Sequence, residues 1–284
     1  MKFGVTSYSF DAYLNSGKKN IYELPAYARS LGFEGIEFAG LMEFDEPVDQ
    51  ALLKEKCREA GIAVCGYCTT ADFAQDMAEQ EAWVKSEIDR AAVLGAPVMR
   101  TDLYHGEPHD PYTPALIEAL RRLARYAAGR GVVLTTENHC GYFCRSERME
   151  RLFQAVNDDN FGQLFDTGNF LDADENPCEA IVRLAGWIRH VHWKDFHFKS
   201  GEAFYPGEGW YVTRGGNYIR GAIPGHGNAP LYPLAKALTQ LGYDGYLVLE
   251  FEGIEDVEMA MRLGLSNMRQ TVDRVKLGLW PGEA

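Results

Sequence analysis

The 284-residue sequence predicts a single-domain α/β protein, a (β/α)8 barrel. Three observations lead there: one supersecondary unit recurs along the chain, it supplies eight strands, and no linker or low-complexity tract interrupts the series. The unit is an amphipathic stretch, a Gly that stops a helix, and a short run rich in Val, Ile, Phe or Tyr. A helix that ends on a left-handed Gly and leads into a strand is the αβ half of a βαβ repeat.

The first strand is KFGVTSY (2 to 8), and the next four follow the repeated unit in SLGFEGIEFAG (30 to 40), EAGIAVCGYCT (59 to 69), VLGAPVMRTDL (93 to 103) and GRGVVLTTENH (129 to 139). NFGQLFDTG (160 to 168), WIRHVHWKD (187 to 195) and QLGYDGYLVLE (240 to 250) complete the eight. Six of the intervals are about 27 to 35 residues and one is about 55, the spacing of parallel strands joined by helices. The helices have the matching period. Leu116, Leu120, Leu123 and Ala127 share a face behind Thr113 as N-cap and Pro114, and Val257, Met261, Leu265, Met268 and Val272 do the same in the last helix.

Hydrophobic residues at 46% and charged residues at 24% suit a packed core and argue against disorder. The start, MKFGVTSYSF, lacks the apolar run of a signal peptide, and no stretch of about 18 apolar residues spans a bilayer, so a cytoplasmic location is expected. A net charge of −13 disfavours nucleic acid and anionic membrane, both of which are bound by neutralising phosphate. A small molecule is the expected partner, and the sequence leaves monomer and homo-oligomer open. Cys65-Gly66-Tyr67-Cys68 has redox or zinc spacing, and Cys140 lies four before Cys144. The first pair falls inside a strand-like run rather than at a helix N-terminus, so all are read as structural thiols.

The stretched interval, 197 to 228, holds eight glycines, two prolines and the basic residues Lys199, Arg214 and Arg220. It follows a strand and so sits over the barrel mouth, where a lid is expected; the alternative is a long surface loop. Arg214, beside Gly215 and Gly216, is the basic group expected to reach an anionic or polyhydroxyl end of a substrate.

In such a barrel the site is built at the C-terminal ends of the strands. Strand five ends in Glu137-Asn138-His139, strand six in Asp166-Thr167-Gly168-Asn169, strand seven in His192-Trp193-Lys194-Asp195 and strand eight in Glu250-Phe251-Glu252. Any one of these has a structural explanation, as a helix cap or a buried polar side chain. Four successive strands delivering ionisable groups to one rim are harder to explain without a cation. Three carboxylates and an imidazole suit one divalent ion, Mn²⁺ or Mg²⁺ ahead of Co²⁺ or Zn²⁺.

The motifs ENH, DTGN, HVHWKD, GHGN and GYLVLEFEG resemble those of the xylose isomerase-like sugar phosphate isomerase/epimerase superfamily, most specifically over residues 132 to 252. The resemblance implies Glu137, Asp166, His192 and Glu250 as metal ligands, His190 as a strand neighbour of the ligand, and Glu252 just behind the ligand sphere. It implies a reaction in which a chelated ketose-like substrate loses a carbon-bound proton to give an enediolate, with the catalytic pair Glu137 and Glu250 on opposite faces, one removing the proton and the other able to return it. His139, Asn169, Lys194, Arg214 and His226 are the candidate substrate contacts, Lys194 and Asp195 a candidate pair, and Arg100 and Asp102 an ion pair of the rim. Asn169 departs from relatives that place His there, which favours one metal over two.

The leading expectation is therefore a metal-dependent isomerase or epimerase acting on a ketose or sugar phosphate. A dehydratase or lyase of inosose or 3-oxo-glycoside type shares the scaffold and the ligands, so only the pocket separates the two. An endonuclease IV-like enzyme requires more metal ligands and a basic groove, and a non-catalytic sugar-binding barrel does not require two carboxylates flanking a chelated substrate.

Overall fold

The computed structural model describes residues 1–279 apart from 42, 43, 45, 46, 107 and 140, so the expectation for Cys140 lies outside the described residues. Eight parallel strands close into the expected barrel: β1 (Lys2–Thr6), β2 (Gly35–Ala39), β3 (Ala63–Thr69), β4 (Val98–Thr101), β5 (Val133–Glu137), β6 (Phe161–Asp166), β7 (Ile188–Trp193) and β11 (Tyr246–Leu249). The order around the ring is β1-β11-β7-β6-β5-β4-β3-β2, each strand beside its predecessor in the series. Outside lie α2 (Leu24–Leu31), α3 (Gln50–Ala60), α4 (Met77–Leu94), α5 (Pro114–Ala128), α6 (Ser146–Val156), α8 (Pro177–Leu184), α9 (Leu231–Gln240) and α10 (Val257–Leu277), with the short α1 (Asp11–Asn15) and α7 (Asn169–Asp172) at the mouth.

The local signals act as expected. Gly32, Gly61, Gly95, Gly131 and Gly242, the helix-stopping glycines of the repeated unit, all have positive φ. The sixth repeat lacks that Gly because Asn157, at φ 45°, takes the left-handed position after α6. Thr113 caps α5 through the Leu116 amide, and Leu116, Leu120, Leu123 and Ala127 are fully buried against the barrel. No helix among the described residues is long and apolar enough to cross a membrane.

The long interval between β7 and β11 is more ordered than a bare loop. It forms an antiparallel sheet of β8 (Asp195–Lys199), β9 (Tyr211–Val212) and β10 (Tyr218–Ala222), in the order β8-β10-β9, separated from β7 by the single residue Lys194. Two aspartates anchor it. Asp195, buried, accepts the amides of Phe196 and Ala229 on Oδ1 and those of Gly225 and Gly227 on Oδ2, at 2.8 to 2.9 Å. Asp174 accepts from Thr213 Oγ1 at 2.9 Å, from Asn217 Nδ2 at 2.7 Å and from the Gly215 amide. Asp195 is therefore not the partner of Lys194 that the sequence suggested. Four backbone donors with no other acceptor outcompete one ammonium that has carboxylates of its own.

Asp195→Ala leaves those four amides without their acceptor, so a loss of roughly 4 kcal/mol or more is expected, at about 1 kcal/mol or more per stranded donor. Thermal unfolding measures it. A melting temperature unchanged within a degree contradicts the anchoring role.

Candidate metal centre

β5, β6, β7 and β11 are neighbours in the ring, so their C-terminal ends meet on one quadrant of the mouth. One ligating atom from each of Glu137, Asp166, His192 and Glu250 lies within 4.8 Å of the others, and all four residues are buried. His192 Nδ1 is 3.4 Å from Glu250 Oε2, 3.6 Å from Glu137 Oε1 and 3.9 Å from Asp166 Oδ2. Asp166 Oδ2 and His192 Nδ1 are buried and without a hydrogen-bond partner. Two orphaned polar atoms facing two further carboxylates cost several kcal/mol unless a cation joins them. The donor set therefore fits a divalent ion.

The remaining capacity of each side chain is taken up in ways that aim it. Asp166 Oδ1 accepts the amides of Gly168 and Asn169 at 2.7 Å each, which points Oδ2 at the centre. Burial raises the Asp166 carboxyl to about 7, against the opposing pull of Lys194. Glu137 is pushed up by burial too, but Arg100, followed by His192, outweighs this and holds it well below the usual carboxylate range. Glu250 is likewise opposed by burial yet brought down to about 2, mainly by Lys194. Burial opposes the charge on His192, and Glu37 and Glu250 overcome it, raising the imidazole well above its ordinary value.

Arg100 does more than the expected rim pair. Its Nη2 reaches Asp102 Oδ1 at 3.1 Å and Glu137 Oε2 at 2.6 Å, and its Nε donates to the same Glu137 oxygen at 2.7 Å. Lys194 Nζ lies 2.7 Å from Glu250, 3.0 Å from Glu252 and 3.6 Å from Asp166. Asn169 bridges the halves, donating to Glu137 Oε1 at 3.1 Å and accepting from Lys194 at 3.2 Å.

Arg100, Glu137, His192, Lys194 and Glu250 line a cavity of about 530 Å³, together with Tyr8, Phe44, Trp83, Asp11, Asp102, His139 and Glu252. His139 Nδ1 is 3.4 Å from Asp102 Oδ1. Three candidate substrate contacts, Asn169, Arg214 and His226, fall outside this lining, Asn169 being buried behind Glu137 and Lys194. Arg214 donates to the carbonyl of Gly141 at 2.6 Å, and His226 sits exposed in the turn that Asp195 holds; no residue of 197–228 lines the cavity.

A family profile for the xylose isomerase-like TIM barrel matches residues 25–271. The chain belongs to that family. Among curated members, it is 25% identical over 250 residues to an inosose dehydratase of Clostridium botulinum (strain Alaska E43 / Type E3), an overlap of 83% of this chain and 84% of the relative. Solved structures of the same fold include a probable 3-DHS dehydratase from Bacillus anthracis, with a TM-score of 0.73 and 16% identity over 95% and 98% of the two chains. They also include D-psicose 3-epimerase from Clostridium cellulolyticum H10, with a TM-score of 0.69 and 18% identity over 96% and 99%. Relatives of both reaction types are enzymes acting on small molecules.

Sequence reading missed Glu37. It lies in β2 with Oε1 2.6 Å from His192 Nε2 and Oε2 2.8 Å from His190 Nε2. The available signal was a carboxylate in the middle of GIEFA, an otherwise apolar strand. Cys65 and Cys68 are buried in β3, free of disulfide, and burial raises both thiols, as inert structural cysteines require. Cys68 nonetheless lines the cavity and lies near Glu37 and His192.

Proposed function

We propose that the protein is a lyase dependent on one divalent ion, Mn²⁺ or Mg²⁺, that removes water from an uncharged polyhydroxylated ketone. The observation that carries the reading is the buried set of Glu137, Asp166, His192 and Glu250, which holds two orphaned polar atoms and of which Glu137, His192 and Glu250 line a substrate-sized cavity. Glu137, Asp166, His192 and Glu250 would hold the divalent ion, which would supply the Lewis acidity that lowers the barrier to ionising a C–H bond beside a carbonyl. Elimination is favoured over epimerisation by the inosose dehydratase that overlaps most of this chain.

The substrate is expected to be uncharged because both cationic side chains of the cavity, Arg100 and Lys194, are already paired with carboxylates, and Asp11, Asp102 and Glu252 add negative charge. Those three carboxylates suit hydroxyl donors, while Tyr8, Phe44 and Trp83 offer apolar faces to C–H edges. Glu250 accepts the carbon-bound proton. The electron pair of that C–H bond forms the new C=C bond as the C–O bond to the β-hydroxyl breaks. His139, held by Asp102, hands that hydroxyl the proton that makes it water. Glu137 is kept anionic by Arg100.

Epimerisation remains the second reading, supported by the presence of two glutamates, Glu137 and Glu250, in one donor set. Incubating metal-loaded protein with inososes, 3-oxo-sugars, ketoses and ketose phosphates in D₂O separates the two. Loss of water from an uncharged ketone is expected. Carbon-bound deuterium in an isomeric product without water loss selects epimerisation, and no exchange with any ketone overturns both.

A further inference from the structure

Glu37 is 1% exposed, between Ile36 and Phe38, which are fully buried. An isolated carboxylate there would cost several kcal/mol, so its environment must be built to receive it. Three strands contribute. β7 supplies both imidazoles, through the same face at His190 and His192. β3 supplies space: a Cβ on Gly66 would stand 2.3 Å from Glu37 Oε2, so no other residue fits without moving the carboxylate. The pairing of β2 with β3 slips by one residue between Ile36 and Glu37, which brings Gly66 opposite Glu37. The Gly of Cys65-Gly66-Tyr67-Cys68 is thus accounted for by packing rather than by thiol chemistry.

The consequence lies at the other side of the His192 ring. With Nε2 committed to Glu37, the nitrogen facing Glu137, Asp166 and Glu250 is Nδ1, the atom without a hydrogen-bond partner. We propose that Glu37 is the positioning residue of the centre: it fixes His192 as an Nδ1 donor toward the cation, with His190 as its second anchor and Gly66 as the space it requires. The inference rests on the metal-binding reading above and adds which imidazole nitrogen binds and what holds it. A carboxylate behind a ligating imidazole fixes ring orientation and raises its basicity, and losing one weakens metal binding by about 10- to 100-fold. A purely structural brace would alter stability alone.

The test uses the full chain and Mn²⁺, with the free ion counted by electron paramagnetic resonance. Glu37→Gln, folded by circular dichroism, is expected to bind Mn²⁺ about 10- to 100-fold more weakly, and Gly66→Ala, which displaces the same carboxylate, is expected to weaken binding in the same direction. A folded Glu37→Gln that binds within twofold of wild type overturns the proposal. If Glu37→Gln does not fold, ¹⁵N-histidine NMR of the wild type loaded with diamagnetic Mg²⁺ or Zn²⁺ decides: Nε2 of His192 is expected to carry the ring proton and Nδ1 none, and the reverse overturns the proposal. Wild type that binds no Mn²⁺, Mg²⁺, Co²⁺ or Zn²⁺ sinks the metal-dependent function and this proposal with it, whereas wild type that binds Mn²⁺ and is matched by folded Glu37→Gln overturns the proposal alone.

Discussion

Glu137→Gln and Glu250→Gln are each expected to lower turnover by about 10²- to 10⁴-fold while the purified variants still retain metal. A glutamine oxygen remains a weak ligand, but at Glu250 the amide does not accept a proton from carbon, and at either position it does not balance the charge of the centre. The two losses should differ in kind. Glu137 is clamped by Arg100 through two nitrogens, so its replacement leaves a buried guanidinium with only Asp102 as a carboxylate partner, and some loss of stability accompanies the loss of rate. Glu250 has Lys194 as its cation, and Lys194 keeps Glu252 and Asn169, so Glu250→Gln should remain closer to wild type in stability. Asp166→Asn and His192→Ala should act mainly on metal occupancy. Turnover and bound metal measured on the same samples check this. A fully loaded Glu250→Gln that turns over at more than a tenth of the wild-type rate removes Glu250 from the role of base.

Stripping the divalent ion should lower the melting temperature by on the order of 10 °C, with a gap that widens as pH rises through neutrality. The size follows from binding linkage, about 4 kcal/mol at a thousandfold excess over the dissociation constant, and from about 2 to 4 °C per kcal/mol for a chain somewhat smaller than this one. The pH dependence follows from Asp166. Its folded value of about 7 lies above an unfolded value near 4, so between those values the folded state holds more protons than the unfolded state. The stabilising contribution of the protonated form is complete below the unfolded value and is lost as pH rises through about 7. Metal-free protein therefore weakens from mildly acidic to mildly alkaline pH. Metal loading displaces the proton from Asp166 and from His192 Nδ1, so affinity strengthens over the same window, by about tenfold per pH unit for each proton released. Calorimetry with and without chelator between pH 5.5 and 8.5 measures both trends. A gap that is constant with pH contradicts the role given to Asp166.

Much of the molecule follows from short-range features of the chain. Helix-stopping glycines at positive φ and the apolar runs after them mark five of the eight strands, because a left-handed residue and a buried strand are local requirements. The eight strands give the barrel, and the barrel sends the ends of β5, β6, β7 and β11 to one quadrant, so the meeting of Glu137, Asp166, His192 and Glu250 there was legible in the sequence. The antiparallel sheet within 195–222 was not, since its glycines and prolines hide a strand pairing that depends on Asp174 and Asp195. Arg214 was read as a substrate contact from its charge and its glycine neighbours, but its direction is set by the carbonyl of Gly141, 73 residues away.

The sequence by itself determined the fold, the rim and the kinds of side chain that meet there, because a strand's end and its residue types are properties of a few neighbouring positions. Only the tertiary structure decided how those side chains are held. Glu37 meets His192 across 155 residues, from strands separated in the ring by β1 and β11, and Arg100 meets Glu137 across 37 residues. Such pairs form when closure of the barrel removes water from its interior and leaves each buried charge to find a counter-charge within reach. No local pattern records which one it finds.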